Sequence, residues 1–276
     1  MRFGSSFSSA FILIYVIRFM PFYVINNNAI DIGRSAAMNL RIMSYNIQHG
    51  HLHLCGGIDL SKTCDVIRKY NPDIVALNEV RGRGTHSEYT AQAEYMAANL
   101  GYHCFFGRSL CIGGSNPYGN AVLSKYPIVD ARIIPIPNPV SKAVEQRSIS
   151  RCTIEILDDG HIAPFAVYVT HFGLTEPEHE HAVSTLLTVL GSERLPFALM
   201  GDFNMIPENP MLAPLNQMLR GTDGKLSGQL SFPSDNPQKK LDYIFVSNNI
   251  EVIYAEIPQI AVSDHCPIFA DIQLYL

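Results

Sequence analysis

Residues 199–207 read Leu199-Met-Gly-Asp-Phe-Asn-Met-Ile-Pro207 (LMGDFNMIP), an apolar run that closes on Asp202 and Asn204. A carboxylate at the end of a core strand is costly to bury without a partner or a cation. The same pattern recurs along the chain. RIMSYN ends in Asn46, DIVALNE in Glu79 and FAVYVTH in His171. Asp242 opens the apolar run LDYIFV, and Asp264-His265 stands just before another.

Taken singly, each of these residues has an ordinary structural use. Asn46 can close a turn, Glu79 can pair with Arg81 or Arg83, Asp242 can pair with Lys239, and the histidines can be hydrogen-bonded supports. Taken as an ordered set at strand termini, they point to one cleft with four carboxylates (Glu79, Asp202, Asp242, Asp264), two histidines and two amides. Carboxylates that close repel one another unless a cation neutralises them or some take up protons. Oxygen ligands without nearby thiolates select a hard cation, Mg²⁺ or Mn²⁺.

Strand-like runs rich in Ile, Val, Phe and Tyr recur at residues 39–46, 73–79, 103–106, 120–124, 149–157, 163–171, 197–201, 241–246 and 268–274. Helical patterns lie in LSKTCDVIRKYNP, in EYTAQAEYMAANLG and in PEHEHAVSTLLTVLG, the last opening on Pro177 and stopping at Gly191. So many strands with so few helices do not suit a strictly alternating parallel fold, and two sheets packed face to face accommodate them better. No repeat, low-complexity block or linker interrupts residues 38–276, so they read as one domain.

The segments SYNIQHG, DIVALNEV, YVTHF, GDFN, LDYIFV and SDHCPI resemble, in order and spacing, the metal-dependent endonuclease/exonuclease/phosphatase superfamily, which includes deoxyribonuclease I, exonuclease III and inositol polyphosphate phosphatases. The likeness spans about residues 39–276. It implies an α+β, four-layer sandwich: two mostly antiparallel sheets face to face, helices outside, and a metal cleft at one rim. By motif it assigns Asn46, Glu79 and Asp264 to the metal. Asp202 and Asn204 would position and deprotonate the attacking water, and His171 would donate to phosphoryl oxygens. Asp242 would orient His265 and raise its basicity. Two departures stand out: Gln48 where some nucleases carry an acidic residue, and Asn78 where many members have Gln before the metal-binding Glu.

Weaker candidates flank the motifs. His49, His51 and His53 would share one side of an extended strand, as a zinc site or as a loop beside the cleft. His179 and His181 are two apart on a helix and do not share a face. The Gly-rich stretch before residue 125 offers Tyr118 and Asn120 to a substrate, and Lys142 and Arg147 are candidate phosphate clamps.

Composition bounds the rest. The chain has 276 residues, 47% of them hydrophobic, and a formal charge of −5. Residues 1–37 carry three arginines against one aspartate, so the remainder is more negative still. Proteins that grip long nucleic acids usually carry the opposite sign. The expectation is therefore a monomeric Mg²⁺-dependent (or Mn²⁺-dependent) hydrolase of a small or lipid-derived phosphoester. The alternatives are a DNA nuclease and an inactive binding module on the same fold. Six cysteines without a CxxC pair read as free thiols. Residues 10–25 form an apolar run broken by Arg18 and Pro21, read with the rest of residues 1–37 as an N-terminal appendage. That reading goes with a cytoplasmic protein; a signal or anchor in residues 10–25 is the alternative, with a secreted or membrane-associated one.

Overall fold

Successive side chains of a strand point to opposite faces, and in this chain that alternation sets both the layers and the site. The structure, a computed structural model, describes residues 37–139, 145–158 and 160–275. The apolar run at residues 10–25 and Lys142 lie outside the described residues. In chain order the elements are β1 (Ala37–Asn46), α1 (Leu60–Tyr70), β2 (Ile74–Arg81), α2 (Gln92–Leu100), β3 (His103–Ile112), β4 (Asn116–Ser124), β5 (Ile128–Pro135), β6 (Ser148–Asp158) and β7 (His161–His171). They continue with α3 (Glu176–Gly191), β8 (Phe197–Asp202), α4 (Ala213–Met218), β9 (Arg220–Gly221), α5 (Asp223–Leu226), β10 (Asp242–Val246), β11 (Ile250–Glu256) and β12 (Ile268–Tyr275).

Two six-stranded sheets result, in the orders β11-β12-β1-β2-β4-β3 and β5-β6-β7-β8-β10-β9. β1 with β2 and β7 with β8 are parallel pairs; the other named pairs are antiparallel. Leu40 and Ile42 of β1, Ile74 and Ala76 of β2, Phe165, Val167 and Val169 of β7, Ala198 and Met200 of β8, and Ile244 and Val246 of β10 fill the space between the sheets. The opposite face of the first sheet packs Met43, Tyr45, Val75 and Leu77 against Cys64 and Ile67 of α1 and Ala93 and Met96 of α2. On the second sheet Tyr168, Leu199 and Tyr243 meet Ala182 and Leu186 of α3 and Leu215 of α4. These are the four layers that the resemblance implies.

Local chemistry explains the helix limits. Asp59 caps α1 by accepting from Ser61 N, and the helix stops at Asn71 in the left-handed region, just before Pro72. α3 opens with Pro177 in its first turn while the Glu178 carboxylate accepts from Thr175 N at 3.0 Å. β5 and β11 go beyond the strands read from sequence, as do the short β9, α4 and α5, and β3 runs on past Phe106 to Ile112. Both β5 and β11 leave part of their apolar content exposed, Val129 and Ile133 in one and Ile253 in the other. The six cysteines are free thiols, with Cys64, Cys152 and Cys266 buried. No helix among the described residues is long and apolar enough to cross a membrane.

Toward one end of the sandwich the inner face turns polar, and there Asn78 of β2 bonds both sheets. Its Nδ2 donates to Asn120 Oδ1 on β4 at 2.9 Å and to Thr170 O on β7 at 2.8 Å. Its Oδ1 accepts from Asp202 N on β8 at 3.0 Å. Asn78→Ala leaves those groups without partners, so we expect a loss of roughly 3 kcal/mol, read as a lower urea midpoint with an unchanged slope.

Candidate active site

The inner-face parity that buries Ile42, Val169, Met200 and Ile244 carries on, at the same end of each strand, to Asn46, His171, Asp202 and Asp242. Glu79 reaches the rim by a different device. Leu77 pairs with Ala121 and Val80 with Gly119, so β2 holds one residue more than β4 across this step. Such a bulge re-aims a side chain. It frees Glu79 from the helix-covered face, which Leu77 and Val80 both occupy. Glu79 has φ +60° and Asn204 φ +50°, a region that costs a non-glycine residue on the order of 1–2 kcal/mol. Gly201, at φ +149°, lies so close to Thr170 O that a Cβ there would stand 1.9 Å from it. Only glycine lets β8 deliver Asp202 beside β7.

The side chains meet on one oxygen. Asp202 Oδ2 has Asn46 Nδ2 at 3.1 Å, His265 Nε2 at 3.5 Å and His171 Nε2 at 3.6 Å. Asn46 Nδ2 also lies 3.1 Å from Glu79 Oε1, and Asp202 Oδ1 accepts from Asn204 N at 2.9 Å. Asp242 Oδ2 stands 2.8 Å from His265 Nδ1, and the imidazole packs against Phe232 with ring centroids 4.8 Å apart. Asp202, Asp242 and His265 offer ligand atoms within 4.8 Å of one another, the group of three such donors found among the described residues. Asp242 Oδ1 is buried without a hydrogen-bond partner.

The two imidazoles are held in opposite states. Burial, the Arg147 guanidinium and His265 push His171 well below the usual histidine range. Arg147 Nη1, 3.1 Å from His171 Nδ1, can only donate. His171 therefore accepts at Nδ1 and carries its proton on Nε2, toward Asp202. Burial works against the charged form of His265 too, but Asp242 and Asp202 outweigh it and raise its pKa to about 10. Burial lifts Asp202 to about 7, against the pull of His265. Tyr118 is raised by burial and by Glu79, with which it hydrogen-bonds.

Other expected residues make contacts of their own. Asp264 is next to His265 in sequence, but its carboxylate accepts from Ser263 Oγ at 3.1 Å, and no hydrogen bond joins it to Asn46 or Glu79 among the described residues. Asn120 is buried: its Nδ2 donates to Ser148 O at 3.2 Å and its Oδ1 serves Asn78, so the amide braces the sheets. The histidine triplet does not converge. Residues 48–50 form a 3₁₀ turn with His49 at φ +48°, where the spacing argument needs an extended strand. His49 and His51 have ring centroids 6.3 Å apart, and His53 turns to Asp235 at 2.9 Å. His179 is buried on Gly173 O, and His181 bonds Pro137 O. Nothing in the sequence marks Arg147 as the partner of His171, or Phe232 as the neighbour of His265.

The sequence pattern of the Endonuclease/Exonuclease/phosphatase family matches residues 43–265. Uncharacterized protein YbhP of Escherichia coli (strain K12) is 26% identical over 255 residues, which cover 86% of this chain and 97% of that protein. Among solved structures, an endonuclease/exonuclease/phosphatase from Beutenbergia cavernae aligns with a TM-score of 0.69 at 24% identity, over 86% of this chain and 72% of its own. A mannosyl-6-phosphatase from Bacteroides thetaiotaomicron aligns at 0.65 and 18% identity, over 84% and 99%. Both structural likenesses are of fold.

His265 and Asp202 each have a folded pKa above the unfolded value. Their protonated forms therefore favour the metal-free fold, fully below the unfolded pKa, and that contribution fades as pH rises through the folded one. For Asp202 the window runs from 3.8 to about 7, and for His265 from 6.5 to about 10. In an NMR titration of the metal-free protein, His265 should stay protonated past pH 8 while His171 stays neutral, and Asp242→Asn should bring His265 down.

Proposed function

The chain belongs to the endonuclease/exonuclease/phosphatase family, and on that premise we propose that it is a Mg²⁺-dependent phosphoester hydrolase in which Asp202 activates the attacking water. Members of this family are hydrolases of phosphoesters and in general need a divalent metal. The observation that carries the reading is the meeting of Asn46 Nδ2, His171 Nε2 and His265 Nε2 on Asp202 Oδ2.

The residues present fit a hard divalent cation. Glu79 Oε1 and Asp202 Oδ2 lie each 3.1 Å from the same Asn46 Nδ2, so two carboxylate oxygens gather at one place, and no cysteine belongs to the cluster. Glu79 and the Oδ1 of Asn46, which accepts from Gln48 N at 3.1 Å and has a second lone pair to offer, would hold the ion, with Asp264 at the margin. When bound, it polarises the phosphoryl group and steadies the leaving oxygen. Everything else is work for side chains. Asp202, whose pKa burial raises above the usual carboxylate range, is the stronger base for the attacking water, and Asn204 N fixes its other oxygen. Asp242 keeps His265 charged and aimed, so its Nε2–H can donate to a phosphoryl oxygen as negative charge builds there. Arg147 keeps His171 neutral with Nε2–H toward the same place. Tyr118, held protonated beside Glu79, is a donor at the rim.

For the substrate we favour a small or lipid-derived phosphoester over nucleic acid. The net charge supports this. So does a cavity of about 590 Å³, lined by Ile206, Pro207, Leu226 and Leu230 together with Glu208 and Lys239. Ile206 is two residues beyond Asn204, and Lys240, also in the lining, is two before Asp242. Two residues span at most about 7 Å, so the cavity starts beside the strand ends that bear the chemistry.

Purified protein should turn over at least one of bis-p-nitrophenyl phosphate, sugar or inositol phosphates, lipid phosphoesters and plasmid DNA, with loss in EDTA and return with Mg²⁺. Silence on the whole panel with every divalent metal would sink the proposal. Asp242→Asn should lower kcat on the order of 10²–10⁴-fold and leave Mg²⁺ affinity near parental, because Asp242 Oδ2 is committed to His265. Glu79→Gln should weaken Mg²⁺ clearly. If Asp242→Asn loses metal as badly as Glu79→Gln, the cation sits in the Asp202–Asp242–His265 cluster and the division of roles is wrong.

A further inference from the structure

Asp242 and His265 come from opposite sides of the sandwich: Asp242 opens β10 of one sheet, and His265 lies in the loop just before β12 of the other. Their 2.8 Å contact thus spans the sandwich, and packing of the apolar core alone leaves such a distance loosely set. The segment Ser231-Phe-Pro-Ser234 grips both sides. Ser231 is fully buried. Its Oγ accepts from Leu241 N at 3.0 Å and from Asp242 N at 3.3 Å. Its carbonyl oxygen accepts from Cys266 N at 2.7 Å. One residue is therefore bonded to the backbone of Asp242 and to the backbone next to His265. Phe232 places its ring on the His265 imidazole. Ser234 holds the same loop through Asp264 O and Ser263 O.

We infer that Ser231 is a positioning residue for the proposed hydrolysis: its hydroxyl anchors the start of β10, its carbonyl anchors the loop of His265, and together they set the Asp242–His265 distance. The inference rests on the reading of that pair as the acid–base unit. A hydroxyl suits the place because a single buried oxygen must accept two adjacent amides, and an apolar side chain would leave both without a partner. Groups that orient a reacting side chain through one intermediary typically change rates by about 10–100-fold when removed.

Ser231→Thr and Ser231→Val give side chains of nearly equal shape that differ in the hydroxyl, so their packing consequences are shared. The Thr variant should keep kcat within about threefold of the parent. The Val variant should lose about 10–100-fold in kcat with KM and Mg²⁺ affinity unchanged. In proton NMR of the metal-free protein, the downfield Nδ1–H signal of a His265 bonded to Asp242 should persist in the Thr variant and shift or vanish in the Val variant. Equal losses in both variants would make the effect one of packing and overturn the inference, as would parental behaviour of both. Should neither fold, Ser231→Ala is judged by the same signal: its retention overturns the inference, and its loss alongside a cooperative melting transition supports it. The signal reports geometry whether or not a substrate has been found. Absent turnover by the parent protein would therefore count against the proposed reaction, and an unchanged signal in the variants against the role of Ser231.

Discussion

The Asn78 amide is the joint on which the site is built. With no other atom of its side chain available, it donates to Asn120 Oδ1 and Thr170 O and accepts from Asp202 N, and so bonds β2 to β4 in its own sheet and to β7 and β8 in the other. Burial of the two apolar faces has no direction of its own, and their interdigitated packing sets the register only as closely as side-chain shapes allow. Hydrogen bonds across the gap do have direction. They fix β8 against β2, and thereby Asp202 against Asn46 and Glu79. A side chain one methylene shorter than the Gln usual in the resembling proteins still makes these bonds, and Asn78 is fully buried in making them.

Strand parity carries the polar residues to that joint. The residues that fill the space between the sheets and those that form the site occupy the same inner positions of the same strands, apolar along most of the length and polar at one end. Burial is therefore nearly complete for Asp202 and Asp242, and for Asp202 it raises the pKa against the pull of His265. Where parity alone would misplace a residue, the backbone departs from regular geometry. The bulge in β2 turns Glu79 out of the helix-covered layer, Gly201 allows β8 to press on Thr170, and Asn204 sits in the left-handed region. These departures cluster at the rim that bears the candidate site, as strained backbone tends to do.

Much of this was legible in the sequence. Apolar runs closing on Asn46, His171 and Asp202 reveal both the strands and the end at which their polar groups gather, because period-2 alternation is local and survives folding. Edge strands such as β5 escape notice because exposure on one side dilutes their pattern. The zinc reading of His49, His51 and His53 fails because it assumes an extended chain where the backbone makes a 3₁₀ turn. The pairing of Arg147 with His171 and the bracing role of Asn120 depend on register between distant strands, and no short window of sequence contains that. Asp264 has the right neighbour in sequence, but its side chain turns to Ser263.

One carboxylate oxygen thus lies between two imidazoles that differ in charge although each is buried. Desolvation disfavours the charged form of both, so burial cannot be what separates them. The difference lies in what stands behind each ring: a guanidinium at His171 Nδ1, a carboxylate at His265 Nδ1. The first can only donate, which forces the proton of His171 to Nε2. The second can only accept while ionised, which leaves His265 free to hold a second proton on its Nε2. Both rings consequently present an N–H toward Asp202, one neutral and one cationic. Swapping the two backing groups would reverse the charges and leave the contacts around Asp202 Oδ2 almost unchanged in distance, so the asymmetry of the site is electrostatic before it is steric.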